Sequence, residues 1–163
     1  MSIECSVVVP LCNEELNLPT LPVRLVATLR RLAIPYEIIY VDDGSTDRTA
    51  EMIRELHQQD GSVKALFLSR NFGHQAALCA GLEAAGGRAV ITIDGDLQDP
   101  PELIPEMLDQ WAEGHQIVYA RRRRRQEGFL KQAACFGFYR VLRRLAEVPI
   151  PLDTGDYALM DRK

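Results

Sequence analysis

Five short apolar runs, each emptying into polar residues and each followed by a helical pattern, constrain this 163-residue chain more than anything else in it. Cys5 to Pro10, C-S-V-V-V-P, is a continuous, largely β-branched run of the kind a strand shows when both its faces are covered. Tyr36–Val41, Val63–Leu68, Ala89–Ile93 and Gln116–Ala120 repeat the pattern at intervals of roughly 25 residues, the rhythm of βαβ units. Between them the spacing predicts helices over about Leu16–Leu32, up to about Gln59 with Asp47 or Ser45 as cap, His74–Ala85 and Pro101–Glu113. A further amphipathic helix is predicted over Phe129–Glu147, and Pro149–Lys163 closes the chain. The expected fold is α/β, an αβα sandwich on a mostly parallel sheet with right-handed crossovers. At 47% hydrophobic content the chain has material for one domain with a real core.

In open sheets of this type ligands bind beyond the carboxyl ends of the strands. The strand-end polar sets then converge on one crevice: Asn13 and Glu14, Asp42 and Asp43, Arg70, Asp94 and Asp96, and the arginines after Ala120. The densest of them is R-A-V-I-T-I-D-G-D-L-Q-D-P-P-E, Arg88 to Glu102. Asp94 and Asp96 can meet at one point where the backbone turns, and Gly95 is expected to permit that turn. Hard oxygen donors without His or Cys suit Mg²⁺ or Mn²⁺, which complete their shell with substrate phosphates. The bland alternative is an acidic loop in which Asp99 caps a helix starting at the two prolines. Asp42, beside Asp43, is expected only to organise its turn.

Other chemistry is disfavoured. No G-x-G-x-x-G follows the first strand and no G-x-x-x-x-G-K-[ST] occurs, which argues against a dinucleotide cofactor and a P-loop. His57, His74 and His115 have no ligand partners at metal-binding spacing; His74 is expected near the site through R-N-F-G-H without a catalytic part, and Trp111 in the core. Cys5, Cys12, Cys79 and Cys135 form no C-x-x-C pair, sit inside apolar runs and are expected to be buried free thiols of a reducing compartment. No signal peptide pattern and no 18-residue apolar span is present, so a cytoplasmic location is expected. The net charge of -4 hides an asymmetry: Arg121 to Arg144 holds nine basic residues against Glu127, +8 locally, leaving -12 elsewhere. Nothing else argues for nucleic acid; a basic, apolar segment can meet phosphate groups or an anionic membrane surface.

Taken together, V-V-V-P-L-C-N-E-E-L-N-L, Y-E-I-I-Y-V-D-D-G-S-T-D-R-T, L-S-R-N-F-G-H-Q-A-A-L-C-A-G-L, D-G-D-L-Q-D-P-P-E-L-I-P and D-T-G-D-Y-A-L-M-D-R resemble the family 2 glycosyltransferases. The similar branch carries a sugar from a nucleotide to a polyprenyl phosphate, as dolichol-phosphate mannosyltransferase and the bactoprenol glucosyltransferases do. The resemblance runs from Val7 to the last residue and implies a GT-A fold holding a nucleotide-sugar and a divalent metal, Mg²⁺ or Mn²⁺. It implies that Pro10, Cys12 and Glu14 flank the base and ribose, with Val41 and Asp43 on the nucleobase edge. Asp94, Gly95 and Asp96 would carry the D-x-D site, with Asp94, Asp96 and Gln98 as metal donors. Arg122, with Arg121 beside it, would lie on the phosphates, and Asp156 would be the acceptor-side carboxylate. Asp96, Asp156 and Arg122 are thus the implied catalytic set, in a single displacement with inversion.

The chain departs from the pattern where many relatives carry an aromatic in place of Cys12 and an arginine in place of Ala158. Membrane-embedded members continue past this length, so the 163 residues are expected to be one GT-A domain stopping before C-terminal anchoring helices, working at the inner face of a membrane. The bacterial-looking L-Q-D-P-P-E-L-I-P tilts the donor toward UDP-glucose over GDP-mannose and the acceptor toward undecaprenyl phosphate. Transfer to a saccharide hydroxyl, or a truncated nucleotide-sugar binding domain without activity, are the rivals.

Overall fold

The computed structural model describes residues 3–121 and 154–162. Nearly all of them belong to one compact unit, Met1–Tyr119 with Asp156–Lys163; Ala120–Gly155 is a second unit. The predicted helix Phe129–Glu147 lies outside the described residues. The chain runs β1 (Cys5–Leu11), α1 (Leu21–Arg31), β2 (Tyr36–Asp42), α2 (Thr49–Gln59), β3 (Val63–Phe67), α3 (His74–Ala84) and β4 (Ala89–Thr92). A single 3-10 turn, Pro101–Leu103, then feeds α4 (Ile104–Ala112), followed by β5 (Ile117–Arg121) and β6 (Thr154–Asp161).

Two boundaries differ from expectation for local reasons. Helix α1 starts at Leu21 rather than near Leu16, because Pro19 disfavours helical backbone at Leu18. The intervening residues make a turn instead, with Asn17 and Leu18 N–H on the Glu14 carbonyl at 3.0 and 3.1 Å. At α2 the N-cap is Arg48, yet Asp47 still serves the helix start by accepting the Thr49 N–H at 2.9 Å.

The six strands lie in the order β3-β2-β1-β4-β6-β5. Strands β1, β2, β3 and β4 pair in parallel, and β6 returns antiparallel to β4 with Thr92 opposite Ala158. The sequence pattern left that last strand unassigned. All of β1 is buried. Val8 packs with Val41 and with Ala77 of α3, whereas Val7 and Val9, pointing to the opposite face, are equally inaccessible, so helices cover both sides. Trp111 is not core: half-exposed, its indole N–H donates to Asp161 at 3.1 Å while Arg88 lies 5.5 Å above its ring.

At the amino-terminal edge of the sheet, Glu37 is buried and takes hydrogen bonds from Ser6 Oγ (2.6 Å) and Gly86 N–H (2.7 Å), with Lys64 Nζ at 2.6 Å. Burial alone raises this carboxyl, but the bonds from Lys64, Ser6 and Gly86 outweigh it and hold it below the usual range. A carboxyl depressed on folding contributes stability above its unfolded value, about 4.3, and that contribution fades as pH falls through the folded value. Melting curves of the wild type and Glu37→Gln should therefore lie apart at pH 7 and converge toward pH 3.

Candidate functional site

The strand order reverses between β1 and β4, and in a sheet of this topology the crevice opens beyond the carboxyl ends at that point. A cavity of about 380 Å³ lies there, within the range of small-ligand sites. The end of β1 gives Pro10 and Leu11, and the loop after it Cys12 and Glu14; Asp43 follows β2; Asn71 and Gly73 lie in the loop before α3, and His74 and Ala77 on α3; Asp94, Gly95 and Asp96 follow β4.

Each wall has a local cause. Asp43 is 2% exposed and accepts the N–H groups of Phe72 (2.8 Å) and Gly73 (3.0 Å), so it holds the loop that carries His74. Gly44 turns the chain at φ +65°, and a Cβ there would stand 2.4 Å from the Arg70 carbonyl carbon, a place only glycine fits. Asp42, 4% exposed, accepts the Ser45 N–H at 3.3 Å and organises the same turn. Asn13 locks the neighbouring loop through the Thr46 N–H at 2.8 Å.

The D-x-D turn is built differently from expectation. Its positive φ falls on Leu97 (64°). Gly95 is small because Leu11 packs against it: an added Cβ would be 2.2 Å from Leu11 Cδ2. Asp96 accepts the Gln98 N–H at 3.0 Å, which tightens the turn around the second carboxylate. Asp99 is 3% exposed and precedes Pro100, which holds the capping position of the 3-10 turn.

Strand β6 brings the third carboxylate. Thr92 donates its hydroxyl to the Asp156 carbonyl, and the buried Tyr157 hydroxyl donates to the Pro100 carbonyl at 2.9 Å. Between these anchors the Asp156 carboxylate meets His74 Nε2 at 2.9 Å, and the same nitrogen stands 3.7 Å from Asp94. One ligand atom from each of His74, Asp94 and Asp156 lies within 4.8 Å of the others. Burial pushes the Asp94 carboxyl above its ordinary range; Asp99, Asp156 and Asp96 push the same way and His74 pulls against them. Crowded hard oxygen donors of this kind fit a divalent cation.

Of the expected residues, Pro10, Cys12, Glu14, Asp43, Asp94, Gly95 and Asp96 share the cavity. Val41 does not line it: its side chain is 0% exposed in the core beneath α3. Gln98 is exposed outside the cavity lining. Arg121 ends β5, and Arg122 lies outside the described residues. The expectation that His74 has no ligand partners holds only along the sequence; its partners come from 20 and 82 residues away. The one signal that could have found it was the position of R-N-F-G-H directly after a strand end.

Cys12 offers a direct probe of the cavity. Its thiol is half-buried, with Asn71 Nδ2 at 3.2 Å, while Cys79 is exposed and Cys5 is buried with its thiol pushed up to about 12, by burial first and then by Glu4 and Glu37. Alkylation mapped by mass spectrometry should be slowed at Cys12 by any ligand that fills the cavity and unchanged at Cys79; equal slowing at both would place that ligand elsewhere.

The model of the family Glycosyl transferase family 2 matches residues 6–163. An uncharacterized glycosyltransferase of Synechocystis is 52% identical over all of this chain, which covers 52% of that protein. An undecaprenyl-phosphate 4-deoxy-4-formamido-L-arabinose transferase of Serratia proteamaculans is 40% identical over 96% of the chain and 47% of its own length. The chain thus spans about half the length of the curated relatives it matches. Among solved structures, the mannosyltransferase PcManGT of Pyrobaculum calidifontis, in complex with GDP-Man and Mn²⁺, superposes with a TM-score of 0.64 at 21% identity, over 99% of this chain and 45% of that one. That likeness identifies the GT-A fold.

Proposed function

Because the chain belongs to glycosyl transferase family 2, we propose that it transfers a hexose from a nucleoside-diphosphate sugar to a polyprenyl phosphate with inversion. The observation that carries this reading is the return of β6 beside β4, which sets Asp156 against His74 and Asp94 at the cavity mouth. The reading casts the cavity as the nucleotide-sugar site, with Pro10, Cys12, Glu14 and Asp43 toward the nucleoside and Asp94 and Asp96 toward the diphosphate. Asp96, with Asp94 and Gln98, would hold the cation, and a bound Mn²⁺ in the structurally similar mannosyltransferase supports a divalent ion. When bound, that ion supplies Lewis-acid neutralisation of the leaving diphosphate.

The residues then divide the work. Asp96 would hold the cation at the diphosphate end of the donor, and Arg122, with Arg121 next to it in sequence, would offset the charge that builds on the departing nucleotide. A phosphate acceptor is already anionic near neutral pH, its second pKa being about 6 by analogy with phosphorylated side chains. One of its oxygens forms the new bond to the anomeric carbon while the carbon–diphosphate bond breaks and its electron pair leaves with the nucleotide. No proton has to be removed, so Asp156 acts by placing the acceptor, and proximity supplies its effect. The undecaprenyl-phosphate transferase among the relatives supports a lipid phosphate acceptor. Association with a membrane surface is part of the proposal because that acceptor is a lipid; no helix among the described residues is long and apolar enough to cross a bilayer.

Calorimetric titration of UDP and GDP, each with Mn²⁺ and with EDTA, tests the donor half, and binding of one nucleotide only with metal is expected. UDP-glucose and GDP-mannose offered with undecaprenyl phosphate or with an oligosaccharide test the acceptor half. Sugar should appear on the lipid phosphate alone; transfer to the oligosaccharide instead would move the reading to a hydroxyl acceptor.

A further inference from the structure

We propose that His74 is a positioning residue for transfer: its Nε2–H holds the Asp156 carboxylate in place. The inference rests on the transferase reading above and names the group that sets its acceptor side. The backbones on both sides of the contact are pinned. Gly73, the residue before His74, is bonded through its N–H to Asp43. On the other side, the Asp156 carbonyl takes the Thr92 hydroxyl, and Tyr157 is tied to Pro100. What these bonds leave open is the Asp156 side chain itself, 45% exposed and so not confined by packing.

The 2.9 Å contact from His74 Nε2 to Asp156 Oδ2 is a hydrogen bond, whereas 3.7 Å to Asp94 is not. The ring therefore gives its Nε2–H to Asp156 Oδ2 and fixes the direction in which that carboxylate points. The same nitrogen lies 3.7 Å from Asp94, so the imidazole sits beside both carboxylates of the cluster. Partners of this kind fix the orientation of a functional group, and their loss costs on the order of 10- to 100-fold in activity.

The test uses the full chain, a nucleotide-sugar donor and undecaprenyl phosphate. His74→Ala should lower kcat by roughly 10- to 100-fold with the donor KM little changed. His74→Gln, whose amide nitrogen can reach the place of Nε2, should recover most of the loss, and His74→Asn, which mimics the nearer ring nitrogen, should not. In an Asp156→Asn background His74→Ala should add little. Equal activity of the Ala, Asn and Gln variants, a full additive loss in the Asp156→Asn background, or a change confined to donor KM would overturn the proposal.

Imidazole ¹⁵N spectra of the wild type and Asp156→Asn, taken without substrate, separate this inference from the reading beneath it. A protonated Nε2 that responds to Asp156→Asn supports the pairing even if no transfer to lipid phosphate is found, in which case the acceptor assignment alone fails. An imidazole indifferent to Asp156→Asn refutes the positioning role whatever the activity.

Discussion

Replacing Asp96 by Ala should abolish metal-dependent nucleotide binding and lower transfer by on the order of 100- to 1,000-fold, the cost of losing one electrostatic stabiliser of a transition state. The reason is the asymmetry of the carboxylate cluster. Asp94 is held from behind by burial and stands next to His74 and Asp156, so part of its role survives through neighbours. Asp96 lines the cavity and is shaped by the Gln98 N–H at 3.0 Å, with no contact to His74 or Asp156 among the described ion pairs. The measurement is paired: calorimetry with and without Mn²⁺, and single-turnover transfer from donor to lipid phosphate. Folding is expected to be intact, since the side chain contributes one turn bond and no core packing. If Asp96→Ala bound nucleotide with undiminished metal dependence, the cation would have to be assigned to His74, Asp94 and Asp156 instead.

Asp43→Ala should have the second large effect, and on stability as well as on activity. Its carboxylate accepts the N–H groups of Phe72 and Gly73 from a position only 2% exposed. Truncation takes the acceptor from the Phe72 N–H and leaves the Gly73 N–H with Asn71 Oδ1 alone, at 3.0 Å, a loss of about 1–3 kcal/mol. For a chain of this size that is a fall in Tm of roughly 2–12 °C. Because the same loop carries Asn71 and His74 into the cavity, nucleotide affinity should fall with it. Asp43→Asn should lie between, since the amide keeps one acceptor and turns an N–H toward an N–H. Loss of affinity in Asp43→Ala with an unchanged Tm would show that Asp43 acts on the ligand directly rather than through the loop.

Two residues show how far a local pattern reaches. The glycine between the D-x-D carboxylates was legible as necessary, but its reason was not. A chain written in one dimension suggests a turn, whereas the packed sheet shows Leu11 pressed against that position and the positive φ displaced to Leu97. The family resemblance implies Val41 beside a nucleobase. Val41 is still inside β2, where Ala77 of α3 covers its face, whereas Asp43 lies past the strand end and meets the loop before α3.

The sequence by itself determined the alternation of strands and helices, the parallel pairing of β1 to β4, the crevice beyond their ends, and the D-x-D pair at its edge. These follow from periodicity, turn residues and the topology of crossovers, all read within a few tens of residues. Only the tertiary structure decided what fills the open side of β4. Thr154–Asp161 shows no alternation, with Tyr157, Ala158 and Leu159 buried in succession, so nothing in its pattern says strand or gives its direction. Its antiparallel insertion between β4 and β5 is what carries Asp156 across 82 positions to His74. That meeting depends on register and packing between distant segments, which a side-chain pattern of period 2 or 3.6 does not encode.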